Sequence, residues 1–274
     1  MEQTLVDRMA LARRRARASG ATFLHEEAAR EVSERLAEVN KSFTAPAVIG
    51  PEAALWADLL GLDAVQVPDD DVLALEEGAH DLVVHGLALH WANDPVGQLV
   101  QMRRALRPDG LMLAALFGGE TLQELRRAFS DAEVEVTGGL SPRVAPMGEI
   151  RDLGALLQRA GFALPVADAM PLTVDYADPL ALMRDLRAMG ETNVLAARHR
   201  APLRRAVLMR AAELYHQHFA RPDGRITATF EIVFLTGWAP AESQQKPLRP
   251  GSARTRLADA LRVPEHSAGE KAGG

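Results

Sequence analysis

A doubly wound, mainly parallel α/β sheet is the fold class this sequence predicts, and three observations point to it. Extended stretches alternate with helices of about ten residues, the order expected of strand–helix–strand crossover units. The extended stretches are continuous apolar runs, such as Leu111 to Phe117, instead of the alternating pattern of a half-exposed sheet; both faces of such strands are covered. The breaks between them carry proline, aspartate and glycine, as in Arg107-Pro108-Asp109-Gly110, where backbone conformation favours a turn.

The elements follow in order. Two helices come first, over 5–17 and 25–39; in the second, Ala28, Val32, Leu36 and Val39 recur at helical spacing among charges. Pro46-Ala47-Val48-Ile49-Gly50 is a short apolar run, followed by a helix from Pro51 to about Leu60. Proline suits a first helical turn because its missing N–H would be unpaired there. Ala64 to Val67 reads as a strand closed by Pro68-Asp69-Asp70-Asp71, and Asp81 to His85 as another. A helix over 95–106 leads into the turn at 107–110, where proline presets φ and Gly110 supplies a positive φ before the strand Leu111 to Phe117. Gly118-Gly119 break that strand, and Thr121 with Glu124 forms a capping box for a helix over 122–129.

Leu153 to Ala160 is a helix ended by Gly161 as a left-handed cap, and Leu172 to Tyr176 is extended. A helical cap runs from about 179 to 220, interrupted near Gly190 and Pro202, and Arg225 to Trp238 is a strand pair or one long strand. The divisions expected are N-terminal helices over 1–42, the α/β domain over 43–238, and a loose, proline- and glycine-rich tail over 239–274.

Composition excludes several function classes. With 47% hydrophobic and 25% charged residues, this is the balance of an ordinary globular protein. The net charge of −6 argues against a nucleic-acid partner. The absence of cysteine removes disulfides, thiolate metal sites and a cysteine nucleophile. No run reaches the roughly 20 apolar residues of a membrane-spanning helix, and the N-terminus has no apolar secretory core, so a cytoplasmic location is expected. The cluster Arg13, Arg14, Arg15 and Arg17 reads as a solvated helix face, since Glu26, Glu27, Glu31 and Glu34 follow soon after.

Several strings, taken together, carry a resemblance. Asp81-Leu82-Val83-Val84 followed by Leu87 to Asp94 resembles the fourth strand and following loop of class I S-adenosylmethionine-dependent methyltransferases, and Leu106 to Gly110 resembles the turn before their fifth strand. Leu116-Phe117-Gly118-Gly119-Glu120-Thr121-Leu122, Gly138 to Pro142, Asp152-Leu153-Gly154 through Phe162, Met189-Gly190-Glu191-Thr192-Asn193 and Gly237-Trp238 are similar to the methyltransferase-like assembly factors of respiratory complex I. Those are relatives of the malonyl-carrier-protein methyltransferase of biotin synthesis. The resemblance implies a Rossmann-like fold, S-adenosylmethionine as cofactor, and a protein substrate or assembly intermediate as partner, some relatives being associated with modification of an arginine.

The cofactor loop departs from that pattern. The family's first strand ends in an acidic residue and three spaced glycines, which let the backbone and a helix N-terminus approach the cofactor. Here Val48 stands in the acidic position, Gly50 keeps the first glycine, and Glu52 and Ala54 replace the other two. Pro51 removes a backbone donor, and Glu52 adds negative charge where a carboxylate should dock. Between Leu60 and Asp81 only about twenty residues remain, too few for strand, helix and strand, so one crossover unit is missing and the N-terminal half is shortened. Asp69 and Asp70 best match the later acidic position on the adenine side. Together these changes oppose binding and leave a degenerate site.

The candidate cofactor contacts are thus Gly50, Asp69, Asp70 and His85, the last at a strand end where ligands gather in open α/β sheets. Candidate substrate contacts are His90 and Trp91 on the next loop, Gly118 and Gly119 at a strand end, and Glu191 and Asn193 at a helix break. His80, His85 and His90 fall within eleven residues, with His216 and His218 as a second pair. A metal needs convergent ligands, and scattered histidines are more often hydrogen-bonded structural groups, so no metal is expected. No catalytic residue is assigned, and a non-catalytic protein-binding scaffold and an active methyltransferase with altered cofactor binding stand as alternatives.

Overall fold

A computed structural model describes residues 4–244. Up to Ala241 the described chain is one compact unit; the expected tail lies outside the described residues from 245 onward. The order is α1 (Arg8–Arg15), α2 (Phe23–Glu38), β1 (Pro46–Ile49), α3 (Ala53–Leu59), β2 (Val65–Val67), β3 (His80–His85), a single 3₁₀ turn (Leu89–Trp91), α4 (Pro95–Ala105), β4 (Leu106–Phe117), α5 (Gln123–Thr137), α6 (Ile150–Ala160), β5 (Ala163–Tyr176), α7 (Pro179–Ala188), α8 (Arg205–Phe219) and β6 (Ile226–Trp238).

The six strands form one sheet in the order β2-β1-β3-β4-β6-β5. The first four are parallel, while β6 runs antiparallel to both β4 and β5. One core, on one face, joins Leu24, Ala28 and Val32 of α2 and Trp56 of α3 to residues of α5, α7 and α8. A second core, on the other, places Leu99 and Met102 of α4 and Leu153 and Leu157 of α6 against Ile49, Val83 and Met112. Because both faces are covered, β1 is buried throughout and so is β4 from Gly110's successor onward, as the apolar runs require. The expected helical cap consists of α7 and α8, joined through a stretch without helix, 189–204.

The missing crossover unit is visible in the topology. The chain leaves β1, makes α3 and β2, and returns by a loop to β3 on the other side of β1. The strand whose acidic end reads as a later one therefore sits directly beside β1, with Val48 opposite Gln66. Asp69 therefore follows the strand next to β1.

Several local expectations are corrected. The positive φ at 107–110 belongs to Asp109 (φ 64). Gly110 serves close packing instead, since a Cβ there would lie 2.9 Å from the Arg107 carbonyl oxygen. The Thr121–Glu124 capping box is not formed: the Thr121 hydroxyl donates to the Glu231 carbonyl (3.1 Å), and Glu124 accepts from the backbone N–H (3.2 Å) and hydroxyl (2.5 Å) of Thr229. Tertiary partners on β6 outcompete the local cap. The helix it was to open runs on to Thr137, β5 is far longer than 172–176, and Pro51 precedes its helix by two residues. Of the two readings of 225–238, one long strand is formed, Ile226–Trp238. Gly161 (φ 81) and Gly190 (φ 82) end their helices in the left-handed region as expected.

Candidate functional site

Two cavities open at the carboxyl ends of the parallel strands, where the strand order reverses around β1 and ligands of such sheets gather. The first, a cleft of about 560 Å³, is lined by Arg8 and Arg15 of α1, by Gly50, Pro51, Ala53 and Ala54 after β1, and by Pro68, Asp69 and Asp70 after β2. It lies where the resemblance puts S-adenosylmethionine. Gly50 (φ 141) is pressed against the next strand's exit, since a Cβ there would lie 2.8 Å from the Gly86 carbonyl oxygen. The glycine thus serves the approach of two strand ends of the protein itself. Trp56 lies over Gly86, with an indole carbon 2.8 Å from where a Cβ would stand. Its Nε1 donates to Nδ1 of His25 at 3.0 Å, so the indole is fixed as well as buried. Val48 is buried where the family has an acid, Pro51 lacks an N–H, and α3 is only seven residues long.

The acid in this cleft is already engaged. Asp69, its side chain 8% exposed, accepts from Nη1 of Arg15 at 2.7 and 3.0 Å and from Nη1 of Arg8 at 3.4 Å. Nη2 of Arg8 also reaches the Asp69 carbonyl. Asp70 is exposed, with Arg8 at 3.7 Å. Arg15, at 18% exposure, is therefore no solvated surface arginine: the reading of Arg13 to Arg17 as a uniformly solvated face is corrected at this residue. Arg8 and Arg15 are two helical turns apart and share one face, a signal present in the sequence. His85 lines neither cavity. It is fully buried, Nε2 lies 3.3 Å from Oε1 of Gln98, and burial pushes its pKa down to about 4.

The second cavity, about 210 Å³, lies between α5, α7 and the stretch 189–193. Its walls are mainly apolar, with Phe117, Leu122, Phe129, Met183 and Phe230, and Trp91, Glu191 and Asn193 also line it. Leu122 adopts a left-handed φ of 55, a strained conformation for a branched side chain, held by its N–H to the Thr229 carbonyl at 2.7 Å. Glu191 stands directly after Gly190, and its side chain is 13% exposed. Oε2 accepts from the Trp91 indole at 2.8 Å and from Nε2 of His90 at 3.3 Å; Oε1 has no hydrogen-bond partner among the described residues. Burial alone would raise its pKa, but the hydrogen bond and charge of His90, the charge of Arg15 and the Trp91 N–H together hold it below the usual glutamate value. The carboxylate is ionised at neutral pH.

His90 is wedged between Phe117 (4.7 Å between ring centres) and Trp91 (5.1 Å). Asn193 staples the wall: Nδ2 donates to the Pro142 carbonyl at 2.6 Å, and Oδ1 accepts from the Leu195 N–H at 3.1 Å. Gly118 and Gly119 make room for acidic side chains of the protein, because Cβ atoms there would lie 2.3 Å from Glu231 and 2.7 Å from Glu149. The structure thus brings His90, Trp91, Glu191 and Asn193 together, and Gly50, Asp69 and Asp70 at the other cavity. Sequence reasoning passed over Arg8, Arg15, His25, Trp56 and Thr192, whose buried hydroxyl has no partner among the described residues. Among those residues no group of three or more histidines, aspartates or glutamates is arranged to hold a metal. No helix among them is long and apolar enough to cross a membrane.

Residues 18–114 match the family described as Methyltransferase domain. The chain is 34% identical over 266 residues to the protein named arginine-hydroxylase NDUFAF5, mitochondrial, of Danio rerio, covering 88% of this chain and 83% of that one. It is 42% identical over 185 residues to the Homo sapiens protein of that name, covering 68% of this chain and 53% of the other. The malonyl-[acyl-carrier protein] O-methyltransferase of Laribacter hongkongensis is 37% identical over 188 residues, covering 69% of this chain and 61% of its own.

Proposed function

The chain belongs to the NDUFAF5 family of methyltransferase-fold proteins, and on that premise we propose that it acts in the assembly of respiratory complex I by receiving an arginine side chain of a protein partner in the Glu191 pocket. The observation that carries this reading is an ionised, largely buried carboxylate in an apolar cavity, with one oxygen held and the other open to a cation. A guanidinium supplies several N–H donors in one plane and carries its charge on a long apolar stem. The stem matches walls of Phe117, Leu122 and Phe129, and the head matches Oε1 of Glu191 and the unpaired Thr192 hydroxyl. The name of the relatives, arginine-hydroxylase, agrees with such an occupant.

In this reading the cofactor cleft has been repurposed. The Arg15–Asp69 pair stands where S-adenosylmethionine would need an unpaired acid, and Val48 and Pro51 replace the loop's acid and one backbone donor, which favours a protein-holding scaffold over methyl transfer. A cytoplasmic location goes with this reading, and export of a tagged chain would contradict it.

Calorimetric titration with N-acetyl-arginine amide tests the pocket. Saturable binding is expected, falling at least 30-fold in Glu191→Gln, as for removal of the charge partner of a desolvated cation (about 2 kcal/mol or more). The neutral isostere N-acetyl-citrulline amide is expected not to bind. Equal binding of both compounds, or of wild type and variant, would refute the reading. Loss of the gene is expected to leave complex I incompletely assembled on native gels; normal assembly would refute the cellular role.

A further inference from the structure

The question left by the pocket is what aims its carboxylate, so the following rests on the arginine reading above. We infer that Trp91 is a positioning residue for Glu191: its indole N–H captures one carboxylate oxygen and thereby turns the other towards a cationic ligand. A glutamate on the short stretch after α7 has three rotatable bonds, and an unrestrained carboxylate would turn freely. Two donors converge on Oε2, the indole at 2.8 Å and the His90 imidazole at 3.3 Å. They come from consecutive residues of one 3₁₀ turn, so they move as a unit.

The two donors are not equivalent. An indole N–H only donates, whereas an imidazole nitrogen changes role with its tautomer. The indole is also the better anchored. Trp91 is 4% exposed and packs in a small core with Val6, Leu11 and Val194. The Asp7 N–H donates to the Val194 carbonyl at 2.9 Å, and the N–H groups of Leu5 and Val6 donate to Oδ1 of Asn93 at 3.0 and 2.9 Å. The chain's N-terminal segment therefore clamps both the turn that carries Trp91 and the stretch that carries Glu191. On the backbone side, Gly190 (φ 82) delivers Glu191 in a place where a Cβ would lie 3.3 Å from Cα of Arg15. Glu191 is thus set at its backbone by glycine and at its head by tryptophan.

The charged and titratable groups around this carboxylate are His90 on the 3₁₀ turn, Arg15 on α1 and His25 on α2, with Arg143 and Arg187 on the pocket wall. Trp91→Phe keeps the aromatic body and removes only the donor. In the full chain, N-acetyl-arginine amide is expected to bind this variant about tenfold more weakly at pH 7. The pH midpoint at which binding appears is expected to move upward, because the ionised carboxylate has lost a donor. A purely packing role would weaken binding without moving that midpoint. Unchanged affinity with an unchanged midpoint would overturn the inference.

A second measurement needs neither ligand nor Trp91 variant. In ¹⁵N-labelled wild-type protein the Trp91 indole N–H resonance is expected to follow the ionisation of Glu191 on acid titration, and to lose that dependence in Glu191→Gln. An indole signal indifferent to both would also overturn the proposal. Failure of the arginine compound to bind wild type while the indole titrates as expected would instead sink the pocket reading.

Discussion

Two cavities share the carboxyl edge of one sheet, yet their polar groups are disposed in opposite ways. In the cleft beside β1 and β2 the buried acid is consumed by the protein, since Asp69 is held by Arg15 and Arg8. In the pocket beside α7 the acid is only half consumed, with Glu191 bonded through Oε2 alone. A buried ionised group is tolerated when partners satisfy it. In the first site Asp69 is satisfied internally, while Nη2 of Arg15 is buried without a hydrogen-bond partner among the described residues and Asp70 is exposed. The second leaves acceptor capacity directed at whatever enters.

Perturbing each cavity sharpens the contrast. The largest expected effect is in the core behind the strand exits: Trp56→Ala removes a fully buried indole and its bond to His25 and should destabilise the protein by about 4 kcal/mol in urea unfolding. A loss below about 1 kcal/mol would mean that the indole is not holding the strand exits together. Next, Arg15→Met should cost about 2 kcal/mol by leaving Asp69 short of a partner, and adding Asp69→Asn should recover part of that loss. Strict additivity of the two changes would deny the pairing.

Acid should act on the buried histidines that flank both cavities. His25 and His85 have pKa values lowered from 6.5 to about 4, chiefly by burial. The unfolded chain then binds more protons than the folded one between these values, so stability is full above about pH 6.5 and falls towards pH 4. Carboxylates with lowered pKa, such as Glu133 and Glu191, lose their contribution only below the ordinary value of 4.5, which keeps the upper part of this window specific to histidine. Flat stability from pH 6.5 to 5 would contradict the assignment. The smallest effect belongs to the pocket wall: Asn193→Ala unties the link to Pro142 and should cost about 1 kcal/mol, with a few-fold loss of arginine affinity. No change in either would remove Asn193 from the site.

Much of the fold is written in local pattern. The apolar runs of β1, β3 and β4, the glycine stops at 161 and 190, and the shortage of residues between Leu60 and Asp81 fix the sheet and its missing unit, because each depends on neighbouring residues only. Where local rules failed, a distant partner had won, as with Thr121 and Glu124, which bond to β6 more than a hundred residues away. The site was legible to the same extent. His90, Trp91, Glu191 and Asn193 stand out as polar residues at strand and helix ends, but nothing local says that a turn at 89–91 meets a carboxylate about a hundred positions on. Arg15 looked like one of a solvated cluster, and only its burial against Asp69 separates it from Arg13 and Arg14.

The proposed division is a first cleft that no longer takes S-adenosylmethionine and a Glu191 pocket that keeps an open acceptor. Calorimetric titration of the full chain with S-adenosylmethionine, run with and without saturating N-acetyl-arginine amide, tests it most directly. The account predicts no saturable heat from S-adenosylmethionine up to about 1 mM in either case, a limit of about 4 kcal/mol of binding free energy. Saturable binding in the micromolar range, with or without the arginine compound, would contradict it.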